Sequence, residues 1–165
     1  MDHTDSTEAV YRGYANDNAA GGRLVMIEIG SETYPLPHQA KHSPTGMSWG
    51  YHGSGPADLA RSLLIHALGD DARCPVCEGT AEVVYDVADD TDMPASIAIA
   101  HPGDTANGRY SEVMGCSHCE DGNVVVPSLC QPFKRDVIAN LPESGWALTR
   151  TEVLAWIRQQ PPTQK

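Results

Sequence analysis

The 165-residue chain predicts an α+β fold: a small antiparallel sheet with about three helices, interrupted by a cysteine-bearing insertion. Three observations predict it. A strand–turn–strand pattern comes early in the chain. Helical periodicity follows a glycine-rich turn and returns near the end. Two Cys-x-x-Cys units lie between the helical stretches.

Residues 1–22 read as a loosely ordered N-terminal segment, polar and acidic to Glu8, then rich in Asn, Ala and Gly from Asn16. Residues 23–29 (Arg-Leu-Val-Met-Ile-Glu-Ile) carry the strongest strand signal. Gly30-Ser31 fits a two-residue hairpin turn with Gly first. Residues 32–36 return as an edge strand, because Pro35 lacks a ladder donor. Residues 38–45 read as a loop.

The centre of the reading is residues 47–60, Met-Ser-Trp-Gly-Tyr-His-Gly-Ser-Gly-Pro-Ala-Asp-Leu-Ala. Gly50, Gly53 and Gly55 can take positive φ or admit close backbone approach. Pro56 suits the first helical position, with Ser54 or Gly55 as N-cap. Leu59, Ala60, Leu63, Leu64, Ala67 and Leu68 then share one helical face, and Gly69 stops the helix. Two readings of this turn stand side by side. One is a tight strand-to-helix connection packed by Trp49 and Tyr51. The other is an anion site at a helix start, with Trp49, Tyr51, His52, Gly53, Ser54 and Gly55 as candidate contacts. The turn matches neither a Walker loop nor a dinucleotide fingerprint, and it holds no Lys or Arg.

Near the end, residues 132–141 predict a second helix with Phe133, Val137, Ile138 and Leu141 on one face. Residues 149–160 predict a third, with a Thr149/Glu152 capping box and a Leu148/Val153 staple.

Cys74-Pro-Val-Cys77-Glu-Gly79 and Cys116-Ser-His-Cys119-Glu-Asp-Gly122 form two similar units. Paired cysteines offer four soft, deprotonated ligands, and nearby glycines let backbone amides fold back onto the sulfurs. One structural zinc on Cys74, Cys77, Cys116 and Cys119 is expected. Strand-like residues 81–86, 109–114 and 123–126 flank the units, an arrangement similar to a zinc ribbon. The 38 residues between the pairs exceed the usual span of about 15–20, and an acidic hairpin tip over roughly 86–107 accounts for the excess. A redox dithiol and disulfides are the competing readings. Cys130 reads as a buried thiol. His118 lies between ligands and points away from the metal. The domain reading is therefore a discontinuous core at 23–73 and 131–160 with a zinc-ribbon insertion at 74–130.

Four cysteines close the metal shell, so no hydrolytic water site is expected. No His-Glu-x-x-His, Gly-x-Ser-x-Gly or deaminase pattern is present. His38, His42 and His52 cluster near the glycine turn as a further acid–base or metal candidate. The formal charge of −11 opposes nucleic-acid binding and suits solubility or a mimic of nucleic acid. No run of about 18 apolar residues occurs, so no transmembrane helix is expected. Met1 to Glu8 lacks a leader pattern, so a cytoplasmic chain is expected.

The segment 49–60, W-G-Y-x-G-S-G-P-A-x-L-A, together with Tyr11-Arg12-Gly13, Pro35-Leu36-Pro37 and Pro132-Phe133-Lys134, resembles a family of short phage and actinobacterial proteins without established activity. The resemblance implies a phage or prophage origin and a small α+β domain, and no reaction. The cysteine-bearing middle departs from that pattern as an insertion. The leading expectation is a non-enzymatic, zinc-stabilised module that binds a host or phage protein. The alternative is a small-anion or nucleotide-phosphate binder using the Gly50–Pro56 turn. An enzyme using His38, His42 or His52 is the third class.

Overall fold

The computed structural model describes residues 8–15 and 23–162. Its elements in chain order are β1 (Val10–Tyr14), β2 (Val25–Ile29), β3 (Glu32–Pro35), α1 (Ser54–Leu68), a 3-10 turn (Gly69–Ala72), β4 (Glu82–Asp86), β5 (Thr91–Pro94), α2 (Ser96–Ala100), α3 (Pro102–Ala106), β6 (Met114–Gly115), α4 (Val126–Asp136), a second 3-10 turn (Ile138–Asn140), β7 (Gly145–Thr149) and α5 (Arg150–Arg158). The fold is mixed α+β, with two antiparallel sheets and five α-helices among the described residues. The chain divides into two compact units, Met1–Leu68 with Ser128–Lys165, and Gly69–Pro127.

The first unit holds a sheet ordered β3-β2-β1-β7. Gly30 has φ 58°, as the first position of the predicted hairpin turn requires, and β3 lies at the edge where Pro35 is tolerated. β1 corrects the expectation of loose order over 1–22; the rest of that span, 1–7 and 16–22, lies outside the described residues. Tyr11 and Gly13 are buried in β1, while Arg12 and Tyr14 are exposed. Gly13 faces Trp146 of β7, and a Cβ at Gly13 would sit 2.2 Å from the indole nitrogen. The glycine is what lets the indole cross the strand.

α1 begins at Ser54, two residues before Pro56, and the Gly53 carbonyl accepts the Ala57 N–H at 3.1 Å. Pro56 still falls in the first turn, where its missing N–H costs nothing. The helix is buried on more than one face. Leu59, Leu63 and Leu64 are fully enclosed, each worth about 1.5–3 kcal/mol of burial. Asp58, Arg61 and Ser62 are buried as well. The loop before the helix explains two of these. Asp58 accepts the N–H groups of Lys41, His42 and Ser43 and pairs with His38 at 2.8 Å. Ser62 Oγ accepts the Gln39 N–H. Burial works to raise the Asp58 pKa, but this set of donors outweighs it and holds the carboxyl below its usual range.

The predicted helix over 132–141 is displaced. α4 starts at Val126 and carries Pro132 in its interior, and a 3-10 turn covers Ile138–Asn140. Pro127, not Pro132, is the proline of the first turn. α5 keeps its predicted cap: Thr149 Oγ1 accepts the Glu152 N–H at 3.1 Å, and Glu152 accepts the Thr149 N–H at 2.7 Å. Phe133 and Trp156 meet with centroids 4.9 Å apart, and Trp49 and Trp146 meet edge to face at 5.6 Å.

The second unit holds the sheet β5-β4-β6. The predicted hairpin tip over 86–107 is not a plain loop: it contains β5, α2 and α3. Arg109 anchors it with a two-pronged pair to Asp86 at 3.0 and 2.9 Å and a contact to Asp89 at 3.1 Å. Arg109 thereby holds the Asp86 carboxyl below the usual carboxylate range. Residues 123–126 do not form the expected strand. Asn123 makes only isolated bridges, to Arg73 and Glu120, and Val126 opens α4.

Candidate metal centre

Each Cys-x-x-Cys unit is a turn that ends in left-handed backbone. Glu78 and Gly79 have φ 54° and 84°; Asp121 and Gly122 have φ 50° and 87°. This conformation returns the amides toward the sulfurs. Gly79 and Ala81 donate to Cys77, His118 to Cys116, and Gly122 to Cys119.

The two turns lock onto each other reciprocally. The Cys74 N–H donates to the Gly122 carbonyl at 2.7 Å, and the Cys116 N–H donates to the Ala81 carbonyl at 2.8 Å. The first cysteine of each pair thus bonds to the backbone that follows the other pair. The glycines pass closely enough that a Cβ at Gly122 would lie 2.2 Å from the Gly79 oxygen.

This geometry brings all four sulfurs within 4.8 Å of one another. Cys74 and Cys116 Sγ are 4.0 Å apart, and Cys77 and Cys119 Sγ are 3.7 Å apart. A disulfide needs about 2.05 Å. A tetrahedral zinc with sulfur at about 2.3 Å places its ligands about 3.8 Å apart along each edge. The residues therefore fit a four-coordinate metal ion. Cys74 and Cys77 are fully buried, and with Val83, Val76, Cys116 and Cys119 they form one apolar cluster.

Electrostatics at the centre follow from burial without a metal charge. Burial opposes ionisation at Cys77, but the Ala81 and Gly79 amides and the neighbouring thiols bring it down to about 7. Burial pushes Cys116 and Cys119 up. A metal ion bound among the four sulfurs would favour the thiolate form of its ligands.

The other candidate residues lie elsewhere. Cys130 belongs to the first unit, and its thiol donates to the Ala57 carbonyl at 3.3 Å. His118 turns to Asp92, 2.8 Å away. Trp49 is fully buried, and its indole N–H donates to the Pro142 carbonyl at 2.9 Å. Of the two roles expected for these glycines, Gly50 takes the positive φ, 85°, and Gly53 and Gly55 do not. They serve close approach instead: added Cβ atoms would meet the Tyr51 ring at 2.6 Å and Ser48 at 3.0 Å. Tyr51, His52 and Ser54 are exposed, and Gly55 is buried. His38 is committed to Asp58. Sequence reasoning missed Asp58 as the organiser of the 38–43 loop; an acid on the apolar side of a helical pattern was the available signal. No helix is long and apolar enough to cross a membrane among the described residues.

A family comparison matches residues 11–96. The matched span opens in β1, contains the glycine turn and α1, and runs past Cys74 and Cys77 to Ser96. The family pattern therefore does not stop at residue 74, as the insertion reading expects, and it does not reach Pro132–Lys134. No curated protein and no solved structure matches the chain. With just over half of its residues matched, the chain belongs to the Family of unknown function (DUF6166).

Proposed function

We propose that the protein is a non-enzymatic binding module whose 69–127 unit is a zinc-ribbon-type fold held by one structural zinc, and that it acts by docking on another protein. The observation that carries this reading is the closed set of four sulfurs. A catalytic zinc keeps a position for water or substrate, whereas four mutually adjacent thiolates fill the tetrahedron. The metal acts here as a staple. It supplies to a small acidic unit the stability that its apolar side chains do not.

Exposed apolar residues in the same unit favour a protein partner. Val87, Val113 and Met114 are about half exposed, and Ile99 is 85% exposed. The negative charge disfavours nucleic acid. The resemblance to phage proteins makes a host or phage protein in the bacterial cytoplasm the natural partner.

The test has two arms. Metal analysis of protein made under reducing conditions with zinc supplied should give one equivalent. Cys130→Ser should keep it, and Cys74→Ser or Cys119→Ser should lose it. Affinity capture with the zinc-loaded chain should recover a defined protein that the Cys119→Ser chain does not. A metal content below about half an equivalent removes the staple, and equal capture by both chains removes its role in binding.

A further inference from the structure

The formal charge of the chain is concentrated in one unit. Residues 69–127 contain twelve acidic and two basic side chains, a charge of −10, while the other unit contains ten acidic and nine basic, a charge of −1. Both basic residues of the acidic unit are already engaged. Arg73 pairs with Asp70 at 2.9 Å, and Arg109 is held by Asp86, Asp89 and Asp104. Four thiolates around one zinc ion add a further two negative charges.

Within this field lies a groove of about 300 Å³, lined by Val76, Tyr85, Asp90, Thr91, Asp92 and His118. It is built by the metal turns themselves. Val76 is in the middle of the first Cys pair, His118 is in the middle of the second, and β4, β5 and the turn between them supply the rest. Asp90 accepts from the Tyr85 hydroxyl, and Asp92 faces His118 at 2.8 Å. No Lys or Arg lines the groove. Two carboxylates can accept charge-assisted hydrogen bonds. Tyr85 adds to the lining an aromatic ring, a group that attracts cations. Val76 offers an apolar surface to a long aliphatic stem.

We propose that this groove seats a lysine or arginine side chain from a basic segment of the partner, so that the partner is a protein presenting a cationic surface. The proposal rests on the protein-binding reading above and assigns that reading its site and its partner's chemistry. Charge complementarity supplies the choice of occupant. A unit at −10 repels acidic surfaces and attracts basic ones over the Debye length, and the groove converts that attraction into one located contact.

Calorimetry on the zinc-loaded full chain, with ten-residue peptides of alternating Lys/Ser, Arg/Ser and Glu/Ser, tests it. At least one cationic peptide should bind, and the Glu/Ser peptide should not. Asp90→Asn with Asp92→Asn should weaken binding about tenfold or more, the loss of one charge-assisted contact. Asp71→Asn with Glu112→Gln removes the same two charges from exposed sites in the same unit and should weaken it about twofold at most. Should the groove pair lose zinc, Thr91→Lys, which places a cation in the groove, must block binding in its place. Equal weakening by the two pairs, or silence of both cationic peptides, overturns the inference. Capture of a partner with an acidic docking surface also overturns it while leaving the protein-binding reading intact. Capture of none, with silent peptides, overturns both.

Discussion

The two units of this chain are held together by different physics. The first encloses Tyr11, Ile27, Trp49, Leu59, Leu63, Leu64, Phe133, Ile138 and Val153 almost completely, with its charges nearly balanced. The second centres its apolar cluster on Cys74, Cys77 and Val83, while Val87, Ile99, Val113 and Met114 face outward. Its other fixed point is the Arg109–Asp86 pair. The second unit is a segment of 59 residues with twelve acids, a size at which the apolar core is small. One chain thus rests one unit on apolar burial and the other on a small cysteine-centred cluster and an ion pair, to which a metal ion at the four sulfurs would add. The two halves should then fail under different insults.

The largest effect separates them by metal. Apparent binding energies for structural zinc are about 10–16 kcal/mol at neutral pH, and in a unit of this kind that energy is folding energy. A chelator under reducing conditions should abolish hydrogen-exchange protection at Ser111 and Cys116, whose amides bond across the second unit. Amides of α1 and of β1 and β2 should keep theirs. Uniform loss of protection would show one cooperative core and end the comparison.

Glycine substitutions sharpen it at a smaller scale. Gly122→Ala meets both a positive φ and the Gly79 oxygen, so about 3 kcal/mol should be lost, read as weakened zinc affinity. Gly13→Ala meets the Trp146 indole and should cost about 2–3 kcal/mol, read as a lower melting temperature of the first unit with zinc binding unchanged. Gly115→Ala meets nothing within 4 Å and should change neither by more than about 0.5 kcal/mol.

Much of this architecture is legible in the sequence, for reasons the structure makes plain. The β2–β3 hairpin, α1 and the capped α5 announce themselves because their signals are local: a Gly-first turn, a helical apolar period, and Thr149 with Glu152. The cysteine pairs are legible because their sulfurs sit at fixed short spacing. β1 and β7 are hidden because each is specified by the other. The five residues from Val10 contain a glycine that reads as a break until Trp146 lies across it. α4 is misplaced because Pro132 mimics a helix start and conceals Pro127. The loop at 38–43 looks unstructured because its order comes from Asp58, which is distant in sequence and buried where a carboxylate is unexpected.

The smallest effect is a pH dependence confined to the first unit. His66 of α1 lies with Nδ1 2.8 Å from the Tyr11 hydroxyl and Nε2 3.3 Å from the Tyr34 hydroxyl. A neutral imidazole can donate at one nitrogen and accept at the other, which matches two hydroxyls. An imidazolium donates at both, and the buried Tyr11 hydroxyl proton then loses its acceptor. Burial lowers the His66 pKa, and the positive charge of Arg150 from α5 lowers it further. Because the folded value lies below the unfolded one near 6.5, the unfolded chain binds more protons in mild acid. The stabilisation is complete above about pH 6.5 and is lost as pH falls through the folded pKa. All three tryptophans, Trp49, Trp146 and Trp156, belong to this unit, so tryptophan fluorescence melts report on it. The melting temperature should be flat from about pH 8 to 7 and fall below about 6.5. His66→Gln should remove the slope that begins below about pH 6.5, while the pH of zinc release, set by protonation of the cysteines, stays where it was. A slope that survives His66→Gln would place the acid sensitivity elsewhere, and a shift in zinc release with it would tie the two units into one equilibrium.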